Sequence, residues 1–448
     1  MSTGHSDSLS REQRLWRWRI LISTYLAYAG FYLVRKVFTI CKTTLAAPIE
    51  EGGYGIGFTG VANIWTAFLV AYMLGQFLHS YLGRKWGPRV LLLGGLGISI
   101  ACNIVFGFAN SYNTFLIFMF FNGLVQAAGW PASVGAVAEW LRKEDRGTLM
   151  GIWSTSYVIG NLVVKIVAGT LLLHYTVKYD AHIGVRYAFF SCTLLAFAIW
   201  WIVYFWQRTR PEDVGLPPIV GPEDRENQSV QVSNAAHIGF GQYLRLVFNP
   251  VVPLMGCAYF CIKFLRYALD SWLPTFLDLQ GMDTAQAAYY SSIFDWTGLV
   301  GAIMAGILLD RVFRGRWELL CLVLGVGIVI GYLAVVEFGA HPIALAVSFG
   351  LVGFMLYGPD TILAGAGAII VAGERNGVAV AGIVNGIASI GPVVQEQVIG
   401  WLLDGADPAE AIRNSNLLGL GMSLGFVALM SLIAVLAARR RRAVAPVG

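Results

Sequence analysis

The sequence predicts an all-α membrane protein, with about twelve transmembrane helices in two six-helix bundles and both termini cytoplasmic. Three observations predict it. Apolar residues fill 57% of the 448 positions and charged residues only 13%, where a soluble domain carries about 25% charged residues. The apolar residues fall in runs of about 20, the length that crosses a hydrocarbon core. The basic residues collect in short clusters on alternate segments between runs, the bias that marks cytoplasmic loops.

Along the chain the predicted spans are 20–41, 58–82, 90–109, 112–140, 148–173, 187–206, 251–278, 285–309, 317–337, 342–371, 377–403 and 416–437. The first follows Arg11, Arg14, Arg17 and Arg19 and runs into Arg35-Lys36 without a small-residue cleavage site. It therefore reads as a retained span and not a secretory signal. One side of the membrane carries those arginines, then Arg84, Lys85, Arg89, Arg142, Lys143, Arg146, Arg208, Arg210, Arg311, Arg314, Arg316, Arg375 and Arg439–Arg442. The other side has only Lys42, Lys178, Arg186 and Arg413. The first side is the cytoplasmic one, and termini on the same side require an even number of spans.

A polar stretch rich in proline, glycine and charge follows Trp206. It divides the chain into an N-terminal bundle at 1–206, a cytoplasmic linker at 207–249 and a C-terminal bundle at 250–448. The net charge of +5 is distributed as loop clusters, which is a topology signal and not a nucleic-acid surface. All six cysteines lie in or beside apolar runs and read as small buried hydrophobes. No metal-ligand spacing, nucleophile–base arrangement or phosphate-binding G-x-x-x-x-G-K-[ST] run stands out, so neither an enzyme, a cofactor, a metal site nor an ATP-driven pump is expected.

The halves repeat. The loop after the second span reads Gly83-Arg84-Lys85-Trp86-Gly87-Pro88-Arg89, and the loop after the eighth contains Gly306, Leu308, Asp310, Arg311 and Arg314. The second resembles the G-x-L-x-D-R-x-x-R signature of the major facilitator superfamily, and the first is a degenerate copy with Gly83 in place of the aspartate. Arg84, Asp310 and Arg311 are thus candidate gating charges at the cytoplasmic ends. Six-plus-six repeats place a substrate site near the midplane, between the halves.

Ionisable residues inside spans are costly and are functional candidates. Span 1 holds Arg35 and Lys36, and span 7 holds Lys263, Arg266 and Asp270. Arg35 and Arg266 stand at nearly the same offset as the loop arginines, each about sixteen residues, or about 24 Å, from the cytoplasmic end of its span. Two guanidinium groups at one depth repel unless an anion lies between them, and their planar forks match phosphate oxygens. Tyr28, Tyr32 and Arg35 share one helical face, as do Lys263, Arg266 and Asp270. Ion pairing of Arg266 with Asp270, and of Arg35 with Asp295, is the structural alternative.

Phe31-Tyr32-Leu33-Val34-Arg35-Lys36 resembles the first helix of the organophosphate:phosphate antiporters, the glycerol-3-phosphate and hexose-6-phosphate transporters of that superfamily. Leu265–Thr275, Arg210–Pro217, Tyr357-Gly358-Pro359, Asn122–Gln126, Gly129-Trp130-Pro131 and Met150–Trp153 are similar to further family segments, most like the sugar-phosphate exchanger branch and the hexose-phosphate sensors. The resemblance covers nearly the whole chain. It implies that Arg35 and Arg266 clamp phosphate, that Tyr28, Tyr32, Tyr72 and Tyr357 line the cavity, and that Asp295 balances charge. Two departures accompany it. Tyr157 stands where the best-known members carry a histidine, and Gln76 where they carry a lysine. Conversely, Lys263 and Lys165 are additional cations. Tyr157, Asn161 and Lys165 recur every four residues, which puts Tyr157 among the lining candidates and Lys165, with Lys36 and Asp270, among the charge-balancing ones. Lys165 pairing with Glu396 and a structural His79 are the plainer readings there.

The expected activity is exchange of a sugar or glycerol phosphate for inorganic phosphate by alternating access, in a monomer of a bacterial inner membrane. The rivals are a hexose-phosphate sensor that signals to a partner, and a proton-coupled symporter of organic anions or sugars using Asp295, Asp270 and Glu396.

Overall fold

The computed structural model describes residues 9–142, 149–150, 152–153, 155–220, 248–339, 341–405 and 407–444. Lys143, Arg146, Ser154, Gly151 of the fifth-span motif and linker residues 221–247 lie outside the described residues, as does the side chain of Arg84. Every regular element among those described is helical. In lipid this is expected, because a helix satisfies its own backbone hydrogen bonds.

In chain order the long helices are α1 (Arg11–Ile40), α2 (Phe58–Gln76), α3 (Lys85–Phe108), α4 (Tyr112–Val137), α5 (Ser156–Lys178), α6 (Ala181–Trp206), α7 (Val251–Leu279), α8 (Thr284–Arg311), α9 (Trp317–Phe338), α10 (Pro342–Thr361), α11 (Gly367–Ala388), α12 (Ile390–Gly405) and α13 (Pro408–Val444). Ten helices among the described residues are long and apolar enough to cross a membrane. The first helix, α1, is interrupted as an apolar run by Arg35-Lys36 and its tyrosines, yet it is buried along most of its length. The protein is a multi-pass membrane protein.

Several helices start earlier than the apolar runs suggest, and caps explain it. Ser10 and Gln13 form a reciprocal capping box, so α1 begins nine residues before the apolar run. The Asp180 carboxylate accepts from Ile183 N at 2.8 Å and starts α6 at Ala181. Both signature loops are tight breaks. Gly87, at φ 75°, ends the helical path ahead of Pro88. The Arg314-Gly315 pair, at φ 49° and 79°, turns the chain between α8 and α9. There the N–H groups of Val312, Phe313 and Gly315 donate to the carbonyls of Leu308 and Leu309.

The chain divides into two compact units: Met1–Gly55 with Ala67–Ser229, and Ile56–Thr66 with Val230–Gly448. In the first, α1 packs against α5 and α6. Gly160 on α5 makes the close approach possible, since a Cβ there would lie 2.8 Å from the Ala29 carbonyl oxygen and 2.9 Å from Tyr32 Cβ. The first part of the linker folds back on this unit. Asp213 accepts from the N–H of Thr209 and Arg210, closing the Pro211–Val214 turn. Trp140 Nε1 donates to the Arg208 carbonyl at 3.3 Å, and Gln13 Nε2 to the Pro217 carbonyl at 3.1 Å.

In the second unit the most extensive packing joins α8 to α10. A Cβ on Gly301 would lie 1.9 Å from the Phe354 carbonyl oxygen, and one on Gly298 2.5 Å from the Tyr357 ring. The N-terminal end of α2, through Thr66, groups with this unit and not with the first. Asp404, at the end of α12, accepts from the N–H of Phe58 and Thr59, both at 2.7 Å. Gln397 Nε2 donates to Thr66 Oγ1 at 2.7 Å. A carboxylate on two orphan N–H groups at a helix N-terminus is a strong cap.

Candidate functional site

In the first unit Tyr28, Tyr32 and Arg35 stand one above another on α1, as their spacing requires. The Arg35 guanidinium carbon lies 3.8 Å from the centre of the Tyr32 ring and 5.9 Å from that of Tyr72 on α2. Both distances are within cation–π range. Tyr157 reaches the same place from α5, 6.1 Å from Tyr32, because Gly160 lets α5 close on α1. Arg35 and four predicted lining tyrosines therefore meet in one unit.

Two tryptophans complete this wall that the sequence does not single out as site residues. Trp130 and Trp153 lie 5.3 Å apart and are 5.3 and 5.6 Å from Tyr28. Trp153 Nε1 donates to Thr24 Oγ1 at 3.1 Å, which fixes the indole against α1. The signal in the sequence is the pair of motifs Gly129-Trp130-Pro131 and Met150–Trp153, which carry a family resemblance but no geometry. Lys36 and Lys165 are buried, and Lys36 points about 100° round the helix from Arg35. Asn161 is likewise buried.

In the second unit α7 supplies Lys263 and Arg266. Arg266 Nη1 lies 2.6 Å from Asp360 Oδ2, and the arginine side chain keeps 23% of its surface exposed against 7% for Asp360. The guanidinium carbon is 4.8 Å from the centre of the Tyr357 ring. Tyr357 is held by Phe294 at 5.5 Å and by the bare face of Gly298. Lys263 Nζ donates to Asn385 Oδ1 at 2.7 Å and to Ser389 Oγ at 3.3 Å, and lies 5.1 Å from the Tyr259 ring. Asp295 is buried beside Phe294, while Asp270 is half-buried one turn beyond Arg266.

Asp360 is the residue that sequence reasoning misses. The Tyr357-Gly358-Pro359 motif stops one residue short of it. An acidic residue inside an apolar span is the signal that could have found it. Other buried polar groups have plainer partners. Glu396 accepts from Ser271 Oγ and Gln395 Nε2, both at 3.0 Å. His79 Nδ1 lies 2.7 Å from the Gly75 carbonyl oxygen, a local contact four residues back along the chain. Asp310 and Arg311 are exposed at the end of α8. Among the described residues no group of three or more His, Cys, Asp or Glu is placed to hold a metal.

The chain matches the family model described as Major Facilitator Superfamily over residues 20–395. It is 25% identical to the membrane sensor protein UhpC of Salmonella typhimurium over 395 residues, 87% of this chain and 85% of that protein. It is 26% identical to the glycerol-3-phosphate transporter of Bacillus subtilis over 401 residues, 87% and 86% of the two chains. With sugar phosphate exchanger 3 of Xenopus laevis it shares 29% over 379 residues, 75% and 72% of the two. Among solved structures it resembles a bacterial homologue of the human lysosomal transporter Spinster in an inward-facing, unoccupied conformation. That match has a TM-score of 0.71 at 15% identity and covers 94% of this chain and 97% of the other. A D-xylose–proton symporter matches with a TM-score of 0.66 at 15% identity, covering 92% and 96%.

Proposed function

This chain belongs to the major facilitator superfamily, a family of membrane carriers and not of enzymes, and on that premise we propose that it exchanges a phosphorylated organic solute for inorganic phosphate by alternating access. The observation that carries the reading is a cation framed by aromatic rings inside each unit: Arg35 with Tyr32 and Tyr72, and Arg266 with Tyr357. Guanidinium groups are the natural receivers of phosphate oxygens. The surrounding tyrosines offer hydroxyls to a sugar or glycerol moiety. Relatives named for glycerol phosphate and sugar phosphate support the same cargo class. Inorganic phosphate is the counter-substrate, and the carrier works as a monomer driven by the solute gradients.

Counterflow decides the matter. Purified protein in vesicles loaded with inorganic phosphate, glycerol 3-phosphate or a hexose 6-phosphate takes up labelled phosphate, and vesicles that are empty or loaded with the free sugar do not. Uptake driven by a pH gradient with no internal phosphate would replace exchange with symport. A second reading has its own support, since a membrane sensor is among the relatives. Binding of hexose phosphate without measurable flux would favour that reading.

Lys263 adds to the second unit's cationic surface. Lys263→Met keeps the length and removes the charge. It lowers phosphate affinity by about 10-fold, the worth of one charge-assisted hydrogen bond. The melting temperature stays within a few degrees, as followed by a thiol-reactive or tryptophan melt. Unchanged affinity would remove Lys263 from the binding set.

A further inference from the structure

Asp360 has no part in the phosphate reading so far, and its surroundings are unusual. It directly follows Pro359, which lacks the backbone N–H that a helix would use there. Two residues after it begins the π-helical turn Ile362–Ala366, where Gly367 N donates to the Ile362 carbonyl. Such turns are rare inside α-helices and gather at working residues. One carboxylate oxygen holds Arg266, while the other, Oδ1, is buried and makes no close hydrogen bond, with the Tyr259 hydroxyl as the other polar neighbour of the carboxylate. A half-satisfied buried carboxylate is a poor stabilising device.

We propose that Asp360 is a specificity-determining residue that competes with the anionic group of the cargo for Arg266. The identity of the cargo rests on the phosphate reading, but the competition does not. In the unloaded unit the carboxylate occupies the guanidinium, and an incoming anion must displace one negative charge to reach it. A phosphomonoester dianion brings two charges and three terminal oxygens and wins that exchange. A carboxylate of the same size brings only what Asp360 already provides. The tethered acid thus sets a charge threshold and turns away singly charged organic anions, an example of selectivity built by opposition.

The experiment titrates full-length purified protein with a matched pair, glycerol 3-phosphate and glycerate. In Asp360→Asn both affinities rise and that for glycerate rises more, so the preference for the phosphate narrows at least 10-fold. Asp360→Glu keeps the wild-type preference. A folded Asn variant with an unchanged preference, or with weakened affinity for both anions, overturns the proposal. Should the Asn variant fail to fold, wild-type protein is labelled with dicyclohexylcarbodiimide and mapped by peptide mass spectrometry. Saturating glycerol 3-phosphate then speeds labelling of Asp360 at least three-fold, because the carboxylate is displaced, and equal or slower labelling sinks the competition. Wild-type protein that binds neither glycerol 3-phosphate nor inorganic phosphate overturns the phosphate reading instead. A rise in anion affinity in the Asn variant would still uphold the competition in that case, and no rise would end it too.

Discussion

Arg266→Lys and Arg35→Lys each lower the initial rate of phosphate exchange by about 100-fold, with the protein still folded and inserted. The charge is retained in both variants, so the loss isolates the fork. A guanidinium gives two parallel donors to a phosphate, whereas an ammonium gives a point charge and one good bond along any direction. Losing one charge-assisted bond is worth about 1.5–3 kcal/mol, or about 10- to 100-fold. The upper end applies here because each arginine is also placed against aromatic rings, at 3.8 Å from Tyr32 and 4.8 Å from Tyr357. A planar cation stacks on those faces and a lysine would sit differently. Arg266→Lys carries a second effect, since the bond to Asp360 Oδ2 is also made by an Nη group. Counterflow in vesicles, with a melting curve as the control for folding, measures both. Full exchange by either variant would take that arginine out of the mechanism.

Gly301→Ala produces the largest loss of stability of any Gly→Ala change among the described glycines of the second unit. The new Cβ would lie 1.9 Å from the Phe354 carbonyl oxygen, and a backbone atom cannot rotate away as a side chain can. Helices α8 and α10 must separate, at a cost of about 2–3 kcal/mol from overpacking. The effect reaches function because α10 carries Tyr357, Pro359 and Asp360 in its last turn. Gly306, further along α8, has nothing within 4 Å of the place a Cβ would take and is the matched control. Gly306→Ala is neutral or stabilises by up to about 1 kcal/mol through helix propensity. A thermal melt of the two variants in detergent separates them, and equal melting temperatures would refute the tight crossing.

The all-helical membrane fold is legible because lipid imposes a single requirement, apolar length, that a linear sequence displays directly. The arginines are legible for the converse reason, being charges where charge is expensive. The tyrosines of α1 follow from helical spacing to Arg35, while Tyr72 and Tyr357 come from family resemblance. What stays hidden depends on which helices meet. Asp360 cannot be matched to Arg266 from spacing, since α7 and α10 are brought together only by tertiary packing. Along the chain Asp270 is the nearer partner. Trp130 and Trp153 look like ordinary lipid-span residues until both are found against Tyr28. The grouping of Ile56–Thr66 with the second unit is likewise invisible in hydropathy, because the bonds from Asp404 to two backbone N–H groups and from Gln397 to Thr66 join distant parts of the chain.

The cluster of Trp130, Trp153, Tyr28 and Tyr32 gives the molecule an intrinsic optical reporter. Two indoles 5.3 Å apart share excitation energy, and their emission colour responds to nearby charge. Tyr28 links these indoles to Tyr32, the ring that faces Arg35. Arrival of an anion at that guanidinium alters the electric field felt by the fluorophores, so occupancy can be followed in unlabelled protein, at rest and in real time.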